Sequence, residues 1–515
     1  MTAKTLAIFG TSSSVGKSLL TTALCRSFAR RGVRVVPFKA QNMSNNAAVC
    51  PDGAEIGRAQ ALQAHAAGVA PSADMNPILI KPEADARSQV ILMGRPFTRL
   101  AAAEYYTYKQ TLWEYVVAAL DRLRTEYDLV LIEGAGSPVE LNLKAGDIVN
   151  MSIAKHAQSP VLLVGDIDRG GIFAQLLGTL WLLEPSERAL VRGLIVNKFR
   201  GDPALFVDGI RLLEEKSGVP VLGVVPYLHD LGLPEEDAVA LDSAKHIANT
   251  QAEVDIAVIR LPLIANFDDF DPFRADAGVR VRYVTSVEEI GQPDAICLPG
   301  TKSTIADLNW LRQRSLDQAI ISHARHGGAV VGICGGYQML GQTIHDPQGI
   351  ESNPGRYAGL GLLPVDTTFA GEKATYLAQA VVLGGAGWLD RIAGVRVHGY
   401  EIHMGRTSSR QPWLEILRVA QGNTNSKDER VLDGASSQDG HIWGCYLHGI
   451  FAETRLRRAW LQSLGWRGGD METTGDLENL RFEQALTRLT DAVEASLDMK
   501  RLEAILWPTT TAHRN

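Results

Sequence analysis

Short, uniformly apolar runs alternate with longer amphipathic stretches along the first half of the chain. Three of these runs are DLVLIEG (128–134), PVLLVGD (160–166) and GLIVNKF (193–199). Strands that are apolar along their whole length and separated by helices are typical of a parallel sheet covered on both faces. The pattern therefore predicts a doubly wound α/β domain that begins with the strand TLAIFG (5–10).

The alternation lapses into a polar, acidic stretch between residues 231 and 253 and restarts at VDIAVIRLP (254–262). We therefore expect a second doubly wound α/β domain, with extra strands between residues 355 and 407 and again between residues 441 and 451. Beyond residue 454 the pattern is helical and charged. The predicted organisation is a first domain over residues 1–235, a linker over 236–252, a second domain over 253–455 and a C-terminal helical segment and tail over 456–515.

Composition narrows the class of protein. The 515 residues are 45% apolar and 21% charged, with 49 glycines, as expected of a soluble enzyme with more than one domain. A net charge of −7 without a long Lys/Arg run gives no reason to expect nucleic acid or a membrane as partner. The five widely spaced cysteines form no CxxC pair, and no signal-peptide pattern precedes the first strand, so we expect a cytoplasmic location.

A phosphate-binding loop is predicted at GTSSSVGKS (10–18), directly after the first strand and before a helix. In such a loop, backbone N–H groups and the helix N-terminus surround phosphate oxygens, a lysine reaches the terminal phosphates and a hydroxyl binds Mg²⁺. Lys17 and Ser18 take the last two roles here. The expected ligands are therefore ATP and Mg²⁺, and the loop residues expected to contact the nucleotide are Gly10, Thr11, Gly16, Lys17 and Ser18.

Polar residues at the ends of other strands extend this site. Glu133 ends a buried strand, where open α/β sheets place their ligand contacts, and we expect it to bind or orient Mg²⁺. Lys39, Asp166 and Asp168 follow strands in the same way and are weaker candidates. Asn197 is a candidate contact to the nucleotide base, with a surface turn as the alternative.

A catalytic thiol is predicted at Cys334 in AVVGICGGYQML (329–340), where an apolar strand turns sharply into a helix. Such an elbow exposes the nucleophile, and the next backbone N–H, that of Gly335, is placed to stabilise an oxyanion. The thiol needs a proton carrier. His448, after an apolar strand of the same predicted domain, is preferred over His398 and His403, which are alternatively substrate-orienting or core residues.

Several longer stretches resemble one family. They are FKAQNMSNN (38–46), DIDRGGIFA (166–174), NFDDFDP (266–272), LPGTKST (298–304), CGGYQMLG (334–341) and GYEIHMGRT (399–407). With them, the chain resembles the cobyric acid synthases of the CobB/CobQ group. Its first domain is similar to dethiobiotin synthetase and its second to the class I glutamine amidotransferases, which have a flavodoxin-like fold.

The resemblance implies glutamine- and ATP-dependent amidation of the b, d, e and g carboxylates of adenosylcobyrinic acid a,c-diamide. It implies that Cys334 attacks glutamine, that His448 carries the proton, and that ammonia displaces an acyl phosphate in the first domain. Class I enzymes usually have a glutamate where this chain has Ile450, so a Cys/His dyad is expected. Their oxyanion loop corresponds to residues 299–301, which makes the backbone N–H groups of Gly300 and Thr301 candidate donors.

The resemblance also places the corrin near residues 39–46, with its carboxylate facing Lys17. Two other functions remain open. Cobyrinic acid a,c-diamide synthase shares both domain types, although FKAQNMSNN and CGGYQMLG favour cobyric acid synthase. A partition-type ATPase switch with an inert second domain is disfavoured by Ser12, where such switches place a lysine. The oligomeric state is open, a homo-oligomer included.

Overall fold

The computed structural model describes residues 2–84, 86–229, 231–234, 252–419, 429–468 and 476–508. The predicted linker, residues 236–252, lies almost wholly outside these ranges. Across the described ranges, no helix is long and apolar enough to cross a membrane.

The first domain contains, in chain order, β1 (Lys4–Gly10), α1 (Lys17–Arg30), β2 (Val35–Phe38), β3 (Gln41–Met43), β4 (Ala47–Val49), β5 (Glu55–Gly57), α2 (Arg58–Ala67), β6 (Ile78–Pro82), β7 (Arg87–Leu92), β8 (Arg95–Ala101), α3 (Ala102–Glu126), β9 (Leu129–Glu133), α4 (Met151–Ala157), β10 (Val161–Asp166), α5 (Ile172–Leu182), α6 (Pro185–Arg188), β11 (Val191–Phe199), α7 (Val207–Ser217) and β12 (Val221–Pro226).

The central sheet of this domain is parallel, in the order β12–β11–β10–β1–β9–β2. Helices cover both faces, and two apolar cores lie on opposite sides of the sheet. The doubly wound fold predicted from the uniformly apolar strands is confirmed. Because β9 and β10 flank β1, the segments that follow these three strands lie together at the carboxyl edge of the sheet.

Two smaller sheets extend the first domain. One has the order β3–β6–β7–β8, and the other pairs β4 with β5. The sequence predicted neither sheet. Strands β3, β4 and β5 have only three residues each, which is too short for a periodic pattern to be recognised.

The second domain contains β13 (Val254–Ile259), β14 (Val279–Val284), α8 (Val287–Ile290), β15 (Ala295–Leu298), α9 (Thr304–Gln313), α10 (Leu316–Arg325), β16 (Ala329–Ile333), α11 (Gly335–Leu340), β17 (Thr343–Asp346), β18 (Gly355–Ala358), β19 (Asp366–Val382), β20 (Arg396–Ser408), β21 (Leu414–Arg418), β22 (Glu429–Asp433), β23 (Ala435–Ser436) and β24 (Ile442–Cys445).

Its main sheet has the order β14–β13–β15–β16–β24–β23, parallel except for the β23–β24 pair. The segments after β13, β15, β16 and β24 therefore meet at one edge. A second sheet, β18–β17–β19–β21–β22 with β20 paired to β19, supplies the strands expected between residues 355 and 407. Short 3₁₀ helices in the chain lie at Ala73–Met75, Lys144–Gly146, Pro203–Phe206, Phe267–Ala275, Gly387–Ile392 and Ile450–Ala452.

The C-terminal helices divide between the two domains. They are α12 (Thr454–Ser463), α13 (Asp476–Ser496) and α14 (Met499–Leu506). Trp460 of α12 is buried in the core of the second domain. By contrast, α13 and α14 contribute to a core of the first domain, and Arg26 of α1 pairs with Glu483 of α13 at 2.6 Å. The chain thus crosses back to its first domain at its end.

Buried contacts join the two domains. Ala47 and Val49 of β4 share an apolar cluster with Tyr400 and Ile402 of β20. Glu55 in the first domain pairs with Lys81 of the same domain and with Lys373 of the second. Burial alone would raise the pKa of Glu55, but the two lysines hold that pKa at about 2. The segment from β3 to α2 is therefore fixed against the second domain.

Candidate active sites

The predicted phosphate loop joins β1 to α1 as expected. Gly16 lies at the N-cap of α1 with φ 96°, a conformation that glycine adopts without strain. The Nζ atom of Lys17 donates to the carbonyls of Ser12 at 2.9 Å and Gly136 at 3.2 Å. The Lys17 side chain therefore lies across its own loop. A Cβ atom at Gly10 would lie 2.9 Å from that Nζ atom, so a side chain at this position would crowd the lysine. The loop has the shape of an anion site at a helix N-terminus.

Glu133 is the hub of a hydrogen-bond network beside this loop. Its Oε1 atom accepts from Ser18 Oγ at 2.8 Å and from Lys39 Nζ at 2.9 Å. Its Oε2 atom accepts from the side-chain amide of Gln63 on α2. The structure thus brings Ser18 of the phosphate loop together with Glu133 and Lys39, which the sequence had assigned to the same site from their positions at the ends of separate strands.

These side chains fit a magnesium ion that is held mainly through a nucleotide. A serine hydroxyl and a carboxylate lie together, and Mg²⁺ prefers a few such oxygen ligands completed by phosphate and water. Among the described residues, no group of three His, Cys, Asp or Glu side chains could hold a metal ion alone.

The other strand-end candidates support the loop in different ways. Asn197 donates from its amide to the carbonyl of Val15 at 2.7 Å, within the phosphate loop, and Thr11 bonds Gln175 at 3.1 Å. Asp166 pairs with Lys198 at 3.0 Å, and Lys198 also donates to the carbonyl of Ser14. Asp168, the last of these strand-end candidates, pairs with Arg200 at the surface.

The predicted thiol lies on a strained elbow between β16 and α11. Cys334 is 6% exposed and has φ 52° and ψ −109°, a conformation that costs a non-glycine residue about 1–3 kcal/mol. Its N–H donates to the carbonyl of Cys445 on the neighbouring strand β24 at 2.9 Å. A Cβ atom at Gly336 would lie 2.0 Å from the carbonyl oxygen of Leu298, so only glycine fits there. Packing against neighbouring strands therefore holds the elbow.

His448 follows β24, the strand next to that of Cys334, so both residues lie at the same sheet edge. Its Nδ1 atom is 2.7 Å from Asp269 Oδ2, and the N–H of Gly449 donates to Asp269 Oδ1 at 2.7 Å. The His448 ring stacks on Tyr400 with centroids 5.1 Å apart. Because the Nδ1–H group of His448 donates to Asp269, Nε2 is the nitrogen left for proton exchange with a thiol.

The surroundings raise the pKa of His448 to about 10. Burial lowers this pKa, but the charge and hydrogen bond of Asp269 outweigh burial, and interaction with Cys334 adds to the rise. The Asp269 carboxylate therefore favours the imidazolium form of His448.

Asp269 is the residue that sequence reasoning missed. The expectation was a Cys/His dyad, since Ile450 occupies the usual place of a third acidic residue. The structure supplies a carboxylate from the turn after β13, in the stretch NFDDFDP (266–272). Its acidic residues beside two aromatic positions were a visible signal, but nothing in the sequence connected them with His448.

Asn266, in the same turn, links this site to the first domain. Its Nδ2 atom lies 3.3 Å from His448 Nε2, while its Oδ1 atom accepts from the N–H of Ala47 at 3.0 Å. Its own N–H donates to Asn46 Oδ1 at 2.7 Å. The FKAQNMSNN and NFDDFDP stretches therefore meet beside the His448 ring.

The three oxyanion candidates lie near Cys334. Gly335 follows the thiol directly, and a Cβ atom placed on it would be 3.2 Å from the backbone nitrogen of Thr301. A Cβ atom at Gly300 would be 3.0 Å from Cε1 of His448. Of the alternative histidines, His398 is exposed, while His403 is buried, stacked on Tyr446 and bonded to Glu401 at 3.1 Å. His448 is thus the histidine at the thiol.

Comparison with known proteins identifies a family for each of the two domains. Residues 6–239 match a family described as the CobQ/CobB/MinD/ParA nucleotide binding domain, and residues 255–456 match the CobB/CobQ-like glutamine amidotransferase domain.

Curated relatives cover nearly the whole chain. A cobyric acid synthase of Roseiflexus castenholzii is 56% identical over 91% of this chain and 94% of its own length. Those of Herpetosiphon aurantiacus and Dehalococcoides mccartyi are 53% and 50% identical, each over 98% of this chain and 99% of their own length. With its nucleotide-binding domain followed by a glutamine amidotransferase domain, the chain belongs to the cobyric acid synthase family of enzymes.

Proposed function

We propose that this enzyme uses glutamine and ATP to amidate the b, d, e and g carboxylates of adenosylcobyrinic acid a,c-diamide, giving adenosylcobyric acid. The observation that carries the proposal is the presence, in one chain, of a Cys334–His448–Asp269 array and a phosphate loop in which Ser18 donates to Glu133. The named relatives, at 50% identity or more over most of the chain, support the corrin as substrate.

At the thiol site, Cys334 attacks the side-chain carbonyl carbon of glutamine and its proton passes to His448 Nε2. The backbone N–H groups of Gly335 and Thr301 are the candidate donors to the oxyanion. His448 then returns the proton to the departing nitrogen, releasing ammonia and leaving a thioester. Water, deprotonated by the same ring, hydrolyses the thioester to glutamate.

At the phosphate site, a substrate carboxylate attacks the terminal phosphate of ATP, releasing ADP and forming an acyl phosphate. Ammonia attacks the acyl carbon, phosphate leaves and the amide forms. The activation is needed because a carboxylate does not form an amide unaided. Lys17 neutralises charge on the transferred phosphoryl group, and Ser18 and Glu133 are placed to hold Mg²⁺, which supplies further charge neutralisation when bound.

We propose that the corrin binds at the segment from Lys39 to Asn46, which contacts both sites. Lys39 is bonded to Glu133 at the phosphate site, and Asn46 is bonded to Asn266 at the thiol site. A substrate on this segment would present a carboxylate towards Lys17.

The test is mass spectrometry of the corrin after incubation with Mg²⁺ATP and a nitrogen source. We expect wild type to add four amides from glutamine or ammonium, and Cys334→Ala to add them only from ammonium. Cys445→Ala, which removes a buried thiol from the adjacent strand, is the matched control and should still use glutamine.

Two results would contradict the proposal. Amidation by neither nitrogen source would exclude this corrin as substrate. Amidation of cobyrinic acid itself at only the a and c positions would identify the enzyme as the diamide synthase instead.

A further inference from the structure

A cluster of charged side chains lies between the two domains. It consists of two triads, in each of which one carboxylate pairs with two cations, and we call it the interface cluster. The triads are Lys81–Glu55–Lys373 and Lys302–Glu83–Arg99. Five of the six side chains are no more than 12% exposed. The Lys302–Glu83 pair joins the second domain to the first, with an N–O distance of 2.6 Å.

The interface cluster carries more positive than negative charge. Its four cations share two carboxylates, and within the described part of the chain no other carboxylate pairs with them. The imbalance affects Lys373, whose pKa is lowered to about 8 by burial first and further by the charges of Lys81 and Lys302. Charge held away from water is costly unless a partner neutralises it. The interface cluster is therefore suited to receive an anionic group.

One route of short contacts connects the interface cluster to the thiol along β20. The Sγ atom of Cys334 lies 3.6 Å from the carbonyl oxygen of Ile402. Met404 is two residues further along the same strand, and its sulfur lies 3.8 Å from the guanidinium of Arg99. Two residues of a strand span about 6.8 Å. Arg99 thus lies within about one side-chain length of the thiol site.

A second route follows the loop that carries the oxyanion candidates. Lys302 directly follows Thr301, whose backbone nitrogen would lie 3.2 Å from a Cβ atom on Gly335, the neighbour of Cys334. Both routes begin at Cys334 and end in the triad around Glu83. In a glutamine with its amide carbon at the thiol, the α-substituents lie about 5 Å further along the molecule. This distance would bring them to that triad.

Glu351 supplies an acceptor at the same place. Its Oε2 atom accepts from the N–H groups of Thr304 at 2.7 Å and Ile305 at 3.4 Å, at the start of α9, and no donor among the described residues binds its Oε1 atom. The Thr304 hydroxyl would lie 3.3 Å from a Cβ atom on Gly335. Burial raises the pKa of Glu351 to about 7 against the opposing charge of Lys302. A cationic group bound at Oε1 would stabilise the carboxylate form.

We propose that Lys302 binds the α-carboxylate and Glu351 the α-ammonium group of the glutamine that Cys334 attacks. Lysine has three N–H donors, so Lys302 can hold a carboxylate while it stays paired with Glu83. The two opposite charges of the amino acid meet a surplus of cations on one side and an acceptor on the other. This inference rests on the proposed function, because it requires glutamine to be the substrate of the thiol site.

The experiment removes the same interaction once from the protein and once from the substrate. Ammonia release is measured from glutamine, from γ-aminobutyramide, which lacks the α-carboxylate, and from glutaramic acid, which lacks the α-amino group. We expect Lys302→Met to lower kcat/KM for glutamine by about ten- to hundredfold, mainly through KM, the effect of losing one hydrogen bond between charged groups. Its kcat/KM for γ-aminobutyramide should equal that of wild type, because this substrate offers Lys302 no carboxylate.

Glu351→Gln tests the other charged group and keeps the inference testable if Lys302→Met does not fold. It should lower kcat/KM for glutamine to a similar extent and leave that for glutaramic acid unchanged. The matched control is Arg406→Met, which removes an exposed cation of β20 that pairs with Glu372 at 3.5 Å, and it should change the reaction of none of the three substrates. Amidation from ammonium should stay at the wild-type rate in all three variants.

Equal losses on glutamine and on the analogue that lacks the matching group would overturn the assignment in favour of a structural role. Unchanged glutamine hydrolysis in both variants would also overturn it. If Lys302→Met then raised the KM of the corrin in the ammonium reaction, the interface cluster would serve a corrin carboxylate instead. If wild type itself releases no ammonia from glutamine, the proposed function fails rather than this assignment.

Discussion

The thiol site and the phosphate site differ in how their charged groups are arranged. At the thiol site the charged groups pair within the protein, with Asp269 bound to His448 and both almost fully buried. At the phosphate site Lys17 donates to backbone carbonyls, and Glu133 collects donors from three separate segments. One site has a fixed proton relay, whereas the other has cationic and hydroxyl groups assembled around a loop.

Under the proposed function, this difference follows from the substrates. Glutamine brings an uncharged amide to the thiol site, so the protein itself must supply a nucleophile, a base and the counter-charge for that base. ATP and a carboxylate bring their own negative charge, so the protein must mainly position and neutralise it. Variants at one site should therefore leave the reaction of the other measurable, and the nitrogen source tells the two apart.

The largest difference between the effects on the two reactions, amide formation and glutamate release, is expected for Lys17→Ala. Losing the cation at the transferred phosphoryl group should reduce amide formation by about 10²–10³-fold, whether glutamine or ammonium supplies nitrogen. Glutamate release should persist at the rate that wild type shows without ATP. Amide and glutamate are both measured in one reaction by mass spectrometry. If glutamate release fell as far as amide formation, the two sites would not be separable in this way.

The same contrast explains what the sequence could reveal. The phosphate site is largely one contiguous loop, so residues 10–18 identified it, and Glu133 followed from its position at the end of a strand. Cys334 was recognisable because a strand, a cysteine and two glycines form a local elbow. The doubly wound fold was predictable for a similar reason, since buried parallel strands are apolar throughout.

Asp269 was not predictable, because it reaches His448 only when the turn after β13 folds across the sheet edge. Nor does the sequence distinguish Gln60 and Gln63 from ordinary polar residues of a surface helix, although both are fully buried. Contacts between distant segments depend on domain packing, which the periodicity of single segments does not encode.

A smaller effect, confined to the thiol site, is expected for Asp269→Asn. Without the carboxylate, glutamine hydrolysis should fall by about 10²-fold, the lower end of what one general acid–base group contributes. The ring loses both its orientation and the counter-charge of its protonated form. Ammonium-supported amidation should be unchanged. The His448 pKa, raised to about 10 in wild type, should fall towards its ordinary value of 6.5. The imidazolium is the form below the pKa, so the alkaline limb of glutamine hydrolysis should move to lower pH.

The matched control is Asp271→Asn, two residues along the same turn, where the carboxylate pairs with Arg274 at 3.1 Å. Its pH profile should match wild type. An unmoved alkaline limb in Asp269→Asn would show that Asp269 does not determine the basicity of His448.

The smallest expected effect is that of Asn266→Gly, tested in a protein that already carries Asp269→Asn. The Asp269→Asn substitution is included because it lowers the pKa of His448 and so brings the alkaline limb of glutamine hydrolysis into a pH range that is easily measured. The Ala47 N–H binds Asn266 Oδ1 and so orients its amide with Nδ2, a donor, towards His448 Nε2. A donor at that nitrogen stabilises the neutral ring and lowers its pKa. Glycine removes the donor and accepts the φ of 51° at this position without strain.

The limb of the double variant should therefore move back to higher pH, by about 0.4–1 unit for one neutral hydrogen bond of 0.5–1.5 kcal/mol. The measurement is the initial rate of glutamate release across pH for the single and double variants. A shift to lower pH, or none, would mean that Asn266 does not act on the ring as a donor. A shift to higher pH would show that His448 is tuned from two sides, upward by Asp269 of its own domain and downward by an amide whose orientation the first domain sets.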